Sequence, residues 1–158
     1  MKRSDKLRSI FFAFAFLFVA APFFTLCHEL GHALIPLTFG HSVQVKVGSE
    51  PSLSIQSEKL SLQLGSLKPW YGHTNWEKSE NETLTLLLGP LVSLLLALGF
   101  LLLSRSSKGQ QIRMFYAACV GWCFFQFLFT LAPVTYPDWL GYESKMLSDG
   151  NKLLLSYH

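Results

Sequence analysis

His28-Glu29-Leu30-Gly31-His32 interrupts an apolar run that begins at Ser9 and resumes through Phe39. The pentapeptide is H-E-x-x-H. On a helix, positions four apart share a face about one turn apart. Two imidazoles so placed converge on one metal ion, and the intervening carboxylate reaches a water beside it. The setting decides the fold. A stretch of about 20 apolar residues crosses a bilayer core, so the motif is expected on a membrane-spanning helix. With five His and seven Glu among 158 residues, chance would produce the pattern only roughly 0.007 times. Ionisable residues inside an apolar span are costly and functional by default, which marks Glu29 as well as the histidines.

Working outward, Lys2, Arg3, Lys6 and Arg8 precede the run, and its length favours a spanning helix over a cleaved signal peptide. Pro22 and Pro36 flank the motif as kink or end points, and Gly40 is a stop signal. The material then changes. Val43, Val45 and Val47 alternate with polar residues, as do Leu53 with Ile55 and Leu60, Leu62 with Leu64. This period of two predicts three short strands within 41–81. Pro69, Trp70, Tyr71 and Trp76 then read as aromatic-rich boundary material. Leu84–Leu103 is an uncharged second span, opening with Gly89-Pro90 in its first turns, and Met114–Ala132 is a third. The tail from Met146 is expected to form a short helix, with Ser148 or Asp149 at its start. The expected fold is a single all-α membrane domain over 1–158. Its spans cover about 9–39, 84–103 and 114–132, with a small β insertion at 41–81 and a short C-terminal helix.

Composition agrees: half the residues are hydrophobic, and the net charge is only +3. No basic stripe is interleaved with aromatics, so nucleic acid is not an expected partner. Cys27, Cys119 and Cys123 lie in apolar stretches and read as small buried residues rather than a disulfide framework. The first eight residues carry four positive charges and one negative, and 104–113 carries three and none. Both segments therefore favour the cytoplasm, giving a multi-pass cell-membrane protein with a cytoplasmic N-terminus and the strand-rich loop on the opposite side.

Zinc suits two imidazoles and one carboxylate, with a fourth position open to water. Glu29 would serve as general base in the hydrolysis of a peptide bond. The third protein ligand is not local, because Ile35 occupies the glycine position of the H-E-x-x-H-x-x-G-x-x-H extension. Candidates by chemistry are Asp149, Asp138, Glu143, His41, His73 and His158.

In order, the chain carries His28–His32, then Gly89-Pro90, then Pro133 followed by Asp149-Gly150. In this it resembles the site-2 proteases, intramembrane zinc metalloproteases, in a minimal form without a PDZ domain. The resemblance covers nearly the whole chain. It implies Asp149 as third zinc ligand, with Asp138 the runner-up, and Gly89, Pro90, Thr130 and Pro133 as substrate-binding positions. Thr130 stands where the family has Asn, so a shorter hydroxyl would hold the substrate backbone there. The family's site usually lies nearer the cytoplasm, whereas the basic segments put this one toward the other face; the active face stays open. The expected partners are a membrane-anchored protein substrate and the lipid bilayer, with a second copy or a regulatory subunit as further partners. The strand-rich loop would either cover the site or lend an edge strand, at Ser42–Val47, to an unwound substrate segment. Two other readings are a catalytically inactive metal-binding scaffold of the same fold and a small transporter subunit with a structural metal.

Overall fold

The computed structural model describes residues 3–136 and 146–156. Among them are three helices long and apolar enough to cross a membrane: Leu7–Thr38, Glu82–Ser106 and Gln110–Leu131. The first is one continuous rod built from α1 (Arg3–Ala15), a π-helical turn (Phe16–Ala20) and α2 (Ala21–Thr38). Pro22 explains the wide turn. It lacks an N–H and its ring crowds the carbonyl four residues back. The rod answers by loosening to a π turn just before it, with Ala21 N–H donating to the Phe16 carbonyl. Neither Pro22 nor Pro36 ends the helix; Gly40 does. Gly40 has φ +82°. Its N–H reaches the Leu37 carbonyl at 3.0 Å, and the His41 N–H reaches that of Pro36 at 3.0 Å. This is the Schellman arrangement that a left-handed glycine permits.

β1 (Val43–Gln56) and β2 (Leu60–Trp76) each bend, so their two halves form a four-segment sheet. The bend in β1 falls at Gly48 and Glu50, which have φ +79° and +55°. Val43–Val47 lies in the middle. It runs parallel to Leu60–Leu64 on one side and antiparallel to Gly72–Trp76 on the other. Leu53–Gln56 then pairs antiparallel with Ser61–Leu64 and forms the outer edge.

This corrects two expectations. Ser42–Val47 is not an edge, since its core is flanked on both sides. The boundary material at 68–76 is strand, not loop, and adds a fourth segment to the three expected. Its inward positions are Gly72, Thr74 and Trp76, opposite Val47, Val45 and Val43. They face the metal motif rather than a uniform apolar core, so the alternation carries no hydrophobic signal.

Val43, Val45 and Val47 pack on Ala33 of α2, with Leu26, Leu30 and Leu37 beside them. The sheet thus lies along the second half of the rod, over the pentapeptide. α3 (Glu82–Ser106) starts at Asn81, whose side chain accepts from the Leu84 N–H at 2.9 Å. α3 meets α2 where a Cβ on Gly31 would stand 2.9 Å from the Gly89 Cα, so only glycine allows this approach. α4 (Gln110–Leu131) packs against α3 and brings Cys119 and Cys123 into a core with Phe24 and Ala97. Both thiols are buried and free, as expected of small apolar fillers. α5 (Asp149–Ser156) is the short C-terminal helix.

Candidate metal centre and its cavity

Three ligand atoms converge. His28 Nε2 and His32 Nε2 lie 3.3 Å apart. Asp149 Oδ2 is 3.4 Å from the first and 3.2 Å from the second. Zinc–ligand bonds of about 2.0–2.2 Å at tetrahedral angles place ligand atoms about 3.3 Å apart, so the triangle fits one zinc ion. Among the described residues this trio is the group of His, Cys, Asp and Glu able to hold a metal.

The surroundings prepare each ligand. His32 Nδ1 lies 2.8 Å from the Thr85 carbonyl, an acceptor, so Nδ1 carries the proton and donates it. The Nε2 lone pair of neutral His32 is then aimed at the centre. His28 Nδ1 pairs with Ser93 Oγ at 2.9 Å. These outer bonds fix tautomer and ring orientation in metal sites. Two nitrogen lone pairs and a carboxylate oxygen in mutual contact repel one another, and a cation between them removes the conflict.

Gly89-Pro90 serves His32. A Cβ on Gly89 would lie 2.2 Å from His32 Nε2. Pro90 has no N–H for the Leu86 carbonyl, next in the chain to the Thr85 carbonyl that holds His32.

Asp149 arrives from far along the chain. Ser148, not Asp149, caps α5: Ser148 Oγ accepts from the Asn151 N–H at 3.2 Å and donates to the Ala132 carbonyl at 2.6 Å. The first turn of α5 is thereby stapled to the end of α4. A Cβ on Gly150 would fall on the Leu131 carbonyl, so glycine is required beside Asp149. Burial alone would lift the Asp149 carboxyl; with no cation between them, the protonated imidazoles of His32 and His28 outweigh it and hold the carboxyl well below the usual carboxylate range, a role that passes to a metal ion when the imidazoles are neutral. The other candidate ligands stand elsewhere. His41 pairs with Glu80 on the surface at 3.0 Å, and His73 lines the cavity without joining the trio. Asp138, Glu143 and His158 lie outside the described residues.

Glu29 is 7 % exposed and flanks the centre on the sheet side. Thr74 Oγ1 contacts its carboxylate Oε2 at 2.7 Å and its backbone carbonyl at 3.0 Å. A cavity of about 610 Å³ opens beside these groups, lined by His28, Glu29, His32 and Asp149. Gly72 and Thr74 form one wall, and Trp122, Gln126 and Thr130 of α4 form another. The Glu77 N–H donates to the Ser42 carbonyl at 3.2 Å. That bond sets the antiparallel phase: His73 and Asn75 bond toward Val43–Val47, while the backbone groups of Gly72, Thr74 and Trp76 face the edge that has no neighbouring strand among the described residues.

The residues expected to hold substrate divide. Thr130 lines the cavity, but its hydroxyl turns back to the Gln126 and Phe127 carbonyls at 2.9 and 3.4 Å. Gly89, Pro90 and Pro133 do not line it; Gly89 packs against the His32 ring. Sequence reasoning missed Thr74, Ser93, Trp122 and Gln126. Gln126 was legible as a lone amide inside an apolar span. Gln126 Oε1 and Trp122 Nε1 are buried without a hydrogen-bond partner among the described residues. No family model and no curated protein matches the chain.

Proposed function

We propose that the chain is an intramembrane zinc endopeptidase of the site-2 protease kind, cutting a peptide bond in a membrane-anchored protein. The observation that carries this reading is the His28–His32–Asp149 triangle with the Glu29 carboxylate beside it, in a cavity between apolar helices. Zinc, when bound, would supply a Lewis acid that polarises the scissile carbonyl and acidifies water. The chain's own residues supply the rest. Glu29 takes a proton from the attacking water and returns it to the leaving amine. The outward backbone groups of Gly72, Thr74 and Trp76 offer main-chain bonds to an extended substrate, which has no other partners in lipid.

Depth supports the reading. Ser93, bonded to His28, stands mid-way along the apolar stretch Leu84–Leu103, about 13 Å from its Leu84 end at 1.5 Å per residue. With the basic segments in the cytoplasm, the N-terminus is cytoplasmic and the sheet lies on the far side.

The test reconstitutes wild type and Glu29→Gln in proteoliposomes with a membrane-anchored reporter whose span carries helix-breaking residues. Zinc per chain is measured alongside cleavage. Wild type is expected to cut the reporter, and Glu29→Gln to retain zinc without cutting. Purified protein that binds no metal overturns the reading. Zinc without cleavage by wild type favours the inactive scaffold, for which the inward-turned Thr130 hydroxyl is the supporting observation.

A further inference from the structure

The β insertion does more than roof the cavity. Thr74 is 4 % exposed, and its hydroxyl stands between two oxygens of one residue, the backbone carbonyl and carboxylate Oε2 of Glu29. A buried hydroxyl needs only one acceptor, and the backbone carbonyl would satisfy it. The shorter contact is instead to the carboxylate. A hydroxyl has one proton, and a charge-assisted bond to Oε2 is the stronger place for it. Gly72, two residues earlier on the same face, is pressed against the same side chain. A Cβ there would lie 2.4 Å from Glu29 Oε1 and 2.7 Å from Thr25 Cγ2.

We propose that Thr74 is a positioning residue for Glu29, and that Gly72 is the slot admitting the carboxylate. Thr74 Oγ–H fixes Oε2. Oε1, which carries no hydrogen bond among the described residues and lies against Gly72 on the cavity wall, is left as the basic oxygen. The mount is stiff, because Thr74 stands opposite Val45, which is fully buried against α2. Register makes the arrangement specific: a one-residue slip of Gly72–Trp76 would turn Thr74 to the opposite face. The Thr74 proton is not consumed. Glu29 Oε1 gains a proton as water attacks and loses it as the C–N bond breaks.

The inference rests on the protease reading, so the experiment separates the two. Thr74→Val removes the hydroxyl at constant shape, and Thr74→Ser keeps it. In the proteoliposome assay, Thr74→Val is expected to lower kcat roughly 100-fold, the scale of a misplaced reacting group. KM should stay within about threefold, since no substrate contact is removed. Thr74→Ser should recover most of kcat, and all variants should keep the wild-type zinc content. Equal kcat in Thr74→Val and wild type overturns the positioning role, as does a failure of Thr74→Ser to recover. Wild type that cleaves nothing overturns the protease reading instead. An infrared arm then decides the positioning without substrate. The difference spectrum between each protein and its Glu29→Gln counterpart isolates the Glu29 carboxylate band. That band should shift in Thr74→Val and return in Thr74→Ser; an unmoved band overturns the proposal.

Discussion

Ser93 and the Thr85 carbonyl each hold an imidazole by the ring nitrogen that faces away from the centre, and Ser148 fixes the helix turn that carries Asp149. Losing such support usually weakens metal binding without abolishing it. Ser93→Ala is expected to lower zinc affinity by roughly 10- to 100-fold, read by competition with a chromophoric chelator. His28→Ala, which removes a ligand outright, should leave the purified protein without stoichiometric zinc. On the opposite wall, Gln126 keeps a buried amide oxygen without a partner among the described residues. Removing the whole polar group while preserving the shape eliminates that cost. Gln126→Leu should therefore stabilise the substrate-free protein by about 1 kcal/mol, measured by denaturation in detergent.

Elements differ in how openly the sequence announces them. The three long helices were legible because an apolar run of spanning length has few alternatives, and Gly40 marked the end of the first. The pentapeptide and Asp149 were legible as chemistry. The strand at Gly72–Trp76 was not, because its inward residues were chosen for Glu29 and His32 rather than for grease. The middle position of Val43–Val47 was hidden too, since alternation shows which face is buried but not which neighbours pair. Strand position can be tested with proline. Val45 is buried and flanked on both sides, so Val45→Pro should unfold the sheet. Ser54 lies on the outer segment, and the Ser57 N–H bond to the Leu60 carbonyl at 2.9 Å sets a phase that points the Ser54 N–H outward. Ser54→Pro should therefore be tolerated, and thermal unfolding of the two variants separates the cases. Gly40→Ala, at φ +82°, should cost about 1 kcal/mol.

Across the whole molecule, large apolar side chains face outward on the long helices; Phe18, Leu95 and Leu102 are 67, 67 and 66 % exposed. A surface of this kind suits a lipid environment and would drive aggregation in water. Inside, the candidate metal ligands join α2 to α5, which otherwise packs mainly against α3 and α4. Zinc bound by the native fold alone adds stability to all of it. Stripping the metal with a chelator should lower the melting temperature by several degrees, and adding back zinc should restore it. Asp149→Ala should show little of this response.

The spacing of the ligands also has a consequence in time. His32 and Asp149 are 117 positions apart (149 minus 32). At ribosomal speeds of about 5–20 residues per second, roughly 6 to 23 seconds separate their synthesis. During that interval the first span carries a nucleating pair of imidazoles and a base, but no complete centre. On the protease reading proposed above, the enzyme cannot be armed until a late segment has been made and docked, and is harmless to its neighbours while it is being built.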